Sequence, residues 1–338
     1  MSAPAAASRL RKKPILSPRS SALLEKKSAR AIEFLLARGT LPILYWLKKD
    51  ILSVSAEREY RTLEKYAERI RILEGQGVDG CWRSKKAGPC APGTPNSQFF
   101  ETISNSLRLY DFGCDAGQAA IGKAISYVLA AQSREGLLGG ECWSEPSLLG
   151  HGLALEFLCR FGLDDDARVQ KGFRLLLKGQ SADGGWSAPP SQPGTGAARQ
   201  PRKPRSRSSS LRATSITLRA LAESARWRDS REARRAGDWV QDRLMKAKDS
   251  AEAASLNRWD EIFYPFREVN ILSNLDALAR LNFRPDGAGV RSGLEWLVRR
   301  QNAAGFWEPR PAKTSADDRL WATLAVLRVL KRFGLIFP

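Results

Sequence analysis

The sequence predicts an all-α protein built from about five helical hairpins that repeat along the chain. Two observations lead to this prediction. Apolar residues recur at helical spacing through most of the sequence, and no stretch shows the alternation typical of β-strands. In addition, a short motif (Gln, three residues, Gly, one residue, Trp) recurs after successive helical stretches. Self-similarity of this kind is the signature of an array of supersecondary units.

The Gln–Gly–Trp motif occurs in three complete copies and one partial copy. The complete copies are Gln76–Trp82, Gln180–Trp186 and Gln301–Trp307, and Gln132–Leu138 lacks the Trp. Glycine permits a tight turn at positive φ. A glutamine amide can satisfy backbone groups at helix ends, and Trp can bury a large area. We therefore predict that the motif fastens hairpins together and carries no chemistry.

Helical periodicity predicts twelve helices. Along the chain, helices that end at a motif alternate with helices that end at a turn. A degenerate unit at 236–241 fills the long gap between the last two complete motifs. The predicted helices are Ser28–Ala37, Leu41–Leu52, Ala56–Glu74, Ser97–Leu109, Ala116–Ala131, Glu145–Phe161, Ala167–Lys178, Leu211–Ala225, Arg231–Met245, Pro265–Leu281, Gly287–Arg300 and Ala316–Phe333.

Charge is distributed unevenly along the 338 residues, whose formal net charge is +19. Residues 1–27 form a basic segment that we predict to be a disordered tail, and a second basic segment at about 189–211 is predicted to be a disordered loop. Such segments could contact an anionic membrane surface. Nucleic-acid binding is not expected, because no stacking platform or recognition helix accompanies the charge.

Cysteine and histidine usage restricts the possible chemistry and compartment. The five cysteines are odd in number and scattered, which favours a reducing compartment, so we predict a cytoplasmic protein with peripheral membrane contact as an alternative. The acid-poor N-terminus also fits an organelle transit peptide. One histidine leaves little scope for histidine-based metal sites. No metal or cofactor is predicted, no apolar run is long enough to span a membrane, and the oligomeric state is left open.

The motif resembles the QW repeats of the terpenoid cyclase and protein prenyltransferase superfamily, and those of the squalene-hopene cyclases in particular. The resemblance runs from about Ala67 to Trp307. It implies an α/α toroid, a barrel of alternating inner and outer helices around a central apolar cavity. Residues 28–338 would form this single domain, interrupted by the basic loop. An isoprenoid or related lipid is the ligand that the resemblance implies.

The catalytic signatures of that superfamily are absent. Squalene-hopene cyclases use an Asp of a D-x-D-D motif, and the nearest acidic run here is Asp164–Asp166, which is predicted to be a turn that caps a helix. A zinc-dependent prenyltransferase-like site would need Asp79, Cys81 and His151. Two of these residues lie inside a fastening motif, which counts against a zinc site.

The candidate site residues lie on the helices expected to be inner. Asp276 is the candidate catalytic carboxylate, because it falls on an otherwise apolar helix, although a solvent-facing or capping role is equally open. The candidate cavity-lining residues are His151, Leu155, Cys159, Thr217, Tyr264, Phe266, Asn270, Asn274 and Trp321. The expected function is therefore binding of an apolar small molecule or lipid. A non-catalytic helical-repeat module that binds a protein or lipid is the alternative.

Overall fold

The structure is a computed structural model of the chain. It describes residues 18–83, 97–139, 148–187, 209–250, 259–265, 269–309 and 315–336, together with residues 252, 254 and 256. These residues form thirteen α-helices and no β-strand, apart from isolated bridges within the motifs. The predicted all-α class is confirmed.

The α-helices are numbered in chain order, and a π-helical turn, Leu47–Leu52, continues α2. Their bounds are α1 Pro18–Arg38, α2 Leu41–Trp46, α3 Glu57–Leu63, α4 Ala67–Glu74, α5 Ser97–Asp111, α6 Ala119–Ala130, α7 Leu148–Arg160, α8 Ala167–Lys178, α9 Leu211–Glu223, α10 Arg231–Arg243, α11 Ile271–Arg280, α12 Ala288–Arg299 and α13 Ala316–Arg332.

The helices alternate between an inner and an outer ring, which makes the fold an α/α toroid. The inner helices α5, α7, α9, α11 and α13 pack on one another in that order, and α13 packs on the π-helical turn. Helices α7, α9, α11 and α13 are buried over most of their lengths, as expected of helices enclosed on all sides. Outer helices such as α8 and α10 bury one face only. Six inner–outer pairs result, one more than predicted, because α1 and α2 form a pair without a motif.

The glutamines and glycines of the motif connect each outer helix to the next one. Gln76 Nε2 donates to the carbonyl of Gly80 at 2.9 Å and to the carbonyl of Ala120 in α6 at 2.8 Å, and the other motifs repeat this pair of bonds. Gly80 has φ of +85°, and a Cβ on it would lie 2.6 Å from the carbonyl oxygen of Lys123. Glycine is therefore required for both conformation and space.

The tryptophans of the motif seal each hairpin by two hydrogen bonds. The indole of Trp186 donates to the carbonyl of Leu176 at 2.8 Å, and its backbone N–H donates to the hydroxyl of Thr214 at 3.0 Å. Trp82 and Trp307 make the equivalent pairs of bonds. All three side chains are buried, so the motif has the fastening role that its composition predicts.

Ring closure corrects the prediction for the N-terminal segment. The amide of Gln301 donates to the carbonyl of Lys27 in α1 at 2.8 Å, which is the bond that every other motif makes to its next outer helix. Helix α1 begins at Pro18, and Leu24 is buried. Residues 18–27 therefore belong to the folded ring. Residues 1–17 of the predicted tail, and residues 189–208 of the predicted basic loop, lie outside the described part of the chain. The last residues of that predicted loop are ordered, because Ser210 caps α9 and Leu211 is buried.

Two further helix predictions differ from the structure by more than three residues or by a break within the helix. The predicted helix Ala56–Glu74 is divided into α3 and α4 by a turn at residues 64–66. The helix predicted to start at Pro265 starts instead at Ile271, because Asn270 forms a capping box with Ser273. Asp166 caps α8 as predicted. No helix of the described ranges is both long and apolar enough to cross a membrane.

Candidate functional site

Two neighbouring cavities lie among the inner helices. The apolar cavity has a volume of about 330 Å³, and α5, α7 and α9 supply most of its wall, including Phe100, Ile103, Leu107, Leu153 and Ile216. The charged cavity has a volume of about 230 Å³ and lies among the last turns of α7, α9, α11 and α13. Arg160 and Tyr264 border both cavities and therefore separate them.

A buried carboxyl, Asp111, borders the apolar cavity at the C-terminal end of α5. Its Oδ1 accepts a hydrogen bond from the Tyr264 hydroxyl at 2.6 Å, and its Oδ2 is buried without a hydrogen-bond partner among the described residues. Burial raises the pKa of Asp111, against the opposing effects of the Tyr264 hydrogen bond and of Arg328. Asp111 therefore retains a proton to higher pH than an ordinary aspartic acid does.

Tyr264 is held in place by aromatic stacking. Its ring lies against Trp321 with centroids 5.5 Å apart and planes at 20°. Trp321 in turn donates its indole N–H to Asp317 at 3.1 Å. Burial and the charge of Asp111 raise the pKa of Tyr264, so the hydroxyl stays protonated and serves as a hydrogen-bond donor. This arrangement fixes which oxygen of Asp111 is occupied by Tyr264 and which remains without a partner.

A chain of ion pairs connects the apolar cavity to the charged cavity. Glu156 pairs with Arg219 at 2.7 Å and with Arg160 at 3.1 Å, and Arg160 pairs with Glu223 at 3.0 Å. Burial alone would raise the pKa of Glu223, but Arg160 and Arg280 lower it overall. Because each buried charge in this chain has a partner of opposite sign, removal of one member would cost each neighbour one of its ion pairs.

Asp276 lies in the charged cavity and not in the apolar one. Its carboxylate accepts a bond from Arg280 at 3.0 Å and another from Arg332. Burial opposes ionisation, but Arg332 and Arg280 hold the pKa of Asp276 well below its usual range. The carboxylate is therefore ionised near neutral pH and cannot donate a proton there. Its predicted catalytic role stays a prediction, restricted to electrostatic stabilisation of positive charge.

His151 was expected to line the cavity, and the structure gives it a different role. Its Nδ1 accepts the backbone N–H of Leu138 at 3.0 Å, and its Nε2 lies 3.1 Å from the carbonyl of Gly172. His151 thus takes the place that Thr102, Thr214 and Thr323 have in the complete motifs. Burial lowers the pKa of His151 to about 4, which keeps the ring neutral. The imidazole fastens the one motif that lacks a Trp.

The contacts of His151 also rule out the alternative of a prenyltransferase-like zinc site formed by Asp79, Cys81 and His151. Both ring nitrogens of His151 are occupied by the backbone, and Asp79 pairs with Arg83. In the described ranges, no cluster of three or more His, Cys, Asp or Glu side chains could hold a metal ion. The residues that the resemblance suggested as ligands therefore do not fit a zinc site.

Of the other candidate lining residues that the structure describes, only Tyr264 borders either of these cavities. Leu155 packs towards Gly172 of α8, and Cys159 lies 3.5 Å from Asp164. Thr217 is buried within α9. The remaining candidates have other positions: Trp321 supports Tyr264, Asn270 caps α11, Asn274 donates to the carbonyl of Asn270, and Phe266 lies outside the described residues.

The sequence interpretation missed five charged residues that border the apolar cavity: Asp111, Glu156, Arg160, Arg212 and Arg219. Glu156 could have been found by the argument that selected Asp276, because it is a charged residue on a largely apolar helix, whereas the helix of Arg219 carries other polar and charged residues. Asp111 ends its helix, where an acidic residue gives no signal in sequence.

The fold is similar to that of a type II terpene cyclase. The ligand-free structure of MstE from Scytonema is 13% identical and matches with a TM-score of 0.51, covering 93% of this chain and 100% of that chain. MstE in complex with its substrate geranylgeranyl dihydroxybenzoate is 13% identical at 0.50, with 95% and 100% covered. A glycosidase, 12% identical with 95% and 100% covered, reaches 0.46, which is too low to support a conclusion.

Comparison at the level of sequence finds no match, either among known protein families or among curated proteins. At identities of 12–13% the structural similarity establishes the fold alone. The chain is therefore an α/α toroid of terpene cyclase-like architecture.

Proposed function

We propose that the apolar cavity binds an isoprenoid or a similarly apolar lipid, and that Asp111 is the proton donor that acts on it. The observation that carries this proposal is a buried carboxyl with a raised pKa on the wall of an otherwise largely apolar cavity. The volume of the apolar cavity, about 330 Å³, lies within the range of about 300–1,000 Å³ that is usual for small-molecule sites. The cyclase-like fold supports the ligand class.

The chemistry follows from the two oxygens of Asp111. A general acid must carry its proton at the working pH, and the raised pKa of Asp111 favours that form. The proton would leave Oδ2 for a double bond or epoxide of the ligand, and the resulting carboxylate would keep the Tyr264 hydrogen bond at Oδ1. Arg160 and Arg328 would stabilise that carboxylate by their positive charge. The cationic product would be quenched by loss of a proton or by capture of water.

Ligand binding is tested first, by native mass spectrometry with lipid extraction of the purified protein. We expect a co-purifying isoprenoid, or saturable binding of added geranylgeraniol. Substitution of Leu107 by Trp would place a large side chain on the cavity wall. Leu107→Trp should abolish binding while helical circular dichroism stays unchanged. Wild-type protein that takes up neither squalene nor geranylgeraniol would refute the proposal.

Catalysis is tested by incubating the bound lipid, or geranylgeranyl dihydroxybenzoate, with protein and analysing the products by mass spectrometry. Asp111→Asn keeps the acceptor for Tyr264 and removes the proton, so turnover should fall about 100-fold or more. Asp165→Asn, on an exposed turn, is the matched control and should leave turnover unchanged. Loss of turnover in Asp276→Asn but not in Asp111→Asn would reassign the catalytic carboxylate. Binding without any turnover would support the non-catalytic lipid-binding module.

A further inference from the structure

The charged cavity contains more basic than acidic side chains. Three carboxylates and five cations border it, and all eight come from inner helices or from the π-helical turn. The acids are Asp50, Glu223 and Asp276, and the bases are Lys49, Arg160, Arg280, Arg328 and Arg332. Glu223 pairs with Arg160, Asp276 pairs with Arg280 and Arg332, and Asp50 pairs with Arg328. Because five cations face three carboxylates, the described side chains that border the cavity carry a net positive charge.

Two of the arginines retain hydrogen-bond donors that no side chain uses. In the described part of the chain, Arg328 makes one hydrogen bond, from Nε to Asp50 at 2.8 Å, and its side chain is only 10% exposed. Arg332 makes one hydrogen bond, from Nη1 to Asp276. Both Nη groups of Arg328, and Nε and Nη2 of Arg332, are therefore without a protein acceptor. These donors are not fully buried, and the side chain of Arg332 is 30% exposed, so they are accessible to a ligand in the cavity.

The charge at this site is not fully neutralised. Burial lowers the pKa of Arg332, and the positive charges of Arg280 and Arg328 lower it further, although Asp276 acts in the opposite direction. Burial is the largest of these effects, and neighbouring carboxylates raise the pKa of Arg160, Arg280 and Arg328. A bound anion would offset the repulsion that Arg280 and Arg328 exert on Arg332.

Aromatic rings hold the basic groups without using their donors. The guanidinium of Arg328 lies 4.9 Å from the ring centroid of Trp46, and that of Arg160 lies 5.8 Å from the centroid of Tyr110. Cation–π contacts of this kind fix a guanidinium while its N–H groups stay available. The site is thus organised before any ligand arrives.

We propose that the charged cavity binds the carboxylate or phosphate group of a small anionic ligand, with Arg328 and Arg332 as the principal donors. Guanidinium groups pair with such anions through two parallel hydrogen bonds. A cleft of about 440 Å³ neighbours the charged cavity and shares Trp46, Lys49 and Tyr110 with it. The site is independent of the proposed function, because it needs neither the apolar cavity nor Asp111.

The anion has two possible sources. It is either a free small anion, or the head group of an amphiphile whose tail passes Tyr264 and Arg160 into the apolar cavity. Tyr264 and Arg160 border both cavities, which makes the second source structurally reasonable. The shared chemistry is an oxyanion held by arginine.

Inorganic phosphate is the probe for the site itself, titrated calorimetrically at constant ionic strength. We expect saturable binding of one phosphate per chain. Arg332→Gln leaves Asp276 paired with Arg280 and should weaken the phosphate Kd about tenfold or more, as expected for loss of one charge-assisted hydrogen bond. Arg284→Gln, whose side chain is 82% exposed, is the matched control and should not change the Kd. No saturable binding, or equal Kd values for Arg332→Gln and wild type, would overturn the proposal.

A second measurement uses only wild-type protein, in case Arg332→Gln does not fold. Phenylglyoxal modifies accessible arginines, and peptide mass spectrometry identifies them. Phosphate should protect Arg328 and Arg332 but not Arg284. Equal modification of the first two with and without phosphate would contradict the site.

Farnesyl phosphate and farnesol distinguish the two sources. If the anion is a head group, farnesyl phosphate should displace phosphate and bind at least about tenfold more tightly than either phosphate or farnesol. If it is a free anion, farnesyl phosphate should bind no more tightly than phosphate. Either result supports the anion site, provided that Arg332→Gln weakens binding of the phosphate group. Farnesol binding alone, with no effect of phosphate, would support the proposed function and refute the anion site.

Discussion

The neutral, buried imidazole of His151 makes the stability of the fold depend on pH. The pKa of His151 is about 4 in the folded protein, against about 6.5 for a histidine in an unfolded chain. Between these values the unfolded chain binds a proton that the folded chain does not. The stability contribution is therefore fully present above about pH 6.5 and is lost as the pH falls towards 4.

The size of the effect follows from the difference between the two pKa values. The full shift of about 2.5 units corresponds to about 3.4 kcal/mol, of which about 2 kcal/mol is lost between about pH 7.5 and about pH 5. His151 is the only histidine in the sequence, so no other imidazole titrates in this interval.

The perturbation that isolates this effect is His151→Thr, which introduces the residue that accepts the motif N–H at positions 102, 214 and 323. The free energy of unfolding is measured by urea denaturation at about pH 7.5 and about pH 5 in both proteins. The variant is expected to be less stable at the higher pH, because a smaller side chain leaves space beside Gly172. Its loss of stability on acidification should be about 2 kcal/mol smaller than that of the wild type. Carboxyl groups titrate in both proteins and cancel in this difference. Equal losses in the two proteins would refute the assignment of His151 as a neutral fastener.

Three further predictions concern the ion-pair chain and the ring. Glu156→Ala should lower the free energy of unfolding by about 3–5 kcal/mol, because two buried arginines lose a partner; Glu57→Ala, from an exposed pair, should cost less than about 1 kcal/mol in the same urea assay. Gln301→Ala removes two hydrogen bonds and should lower the free energy of unfolding by about 2 kcal/mol. Limited proteolysis should then cut first near α1. Protease resistance equal to that of the wild type would contradict the role of Gln301 in closing the ring. Gly184→Ala forces an alanine to φ of +97° with its Cβ 2.9 Å from the carbonyl oxygen of Arg235, so we expect a loss of about 1–3 kcal/mol of stability. A melting temperature equal to that of the wild type would contradict this expectation.

The fold could be predicted because its determinants are local in sequence. The two bonds within a motif, from Gln180 to the carbonyl of Gly184 and from the Trp186 indole to Leu176, join residues four and ten positions apart. Helical periodicity is equally local. The closure of the ring by α1 could not be predicted, because the bond from Gln301 to Lys27 joins residues 274 positions apart and α1 carries no motif.

The candidate site could be predicted only in part. Tyr264 borders both cavities and Asp276 is buried among charges, whereas His151 borders neither cavity and contacts the backbone through both ring nitrogens. The imidazole faces Leu138 because the partial motif lacks a Trp and its neighbouring helix lacks the usual Thr. That substitution is visible in the sequence once the role of Thr102, Thr214 and Thr323 is known.

The sequence by itself determined the all-α class, the alternation of helices and the fastening role of the repeated motif, since these depend on contacts between residues close along the chain. Only the tertiary structure decided which polar groups meet inside the ring. Asp111 and Tyr264 are 153 residues apart, and Asp276 and Arg332 are 56 apart. Their encounters depend on how far each inner helix is rotated and shifted against its neighbours, which periodicity does not specify. The pKa of Asp111 and the unpaired donors of Arg328 follow from that packing, and so does the chemistry that we propose.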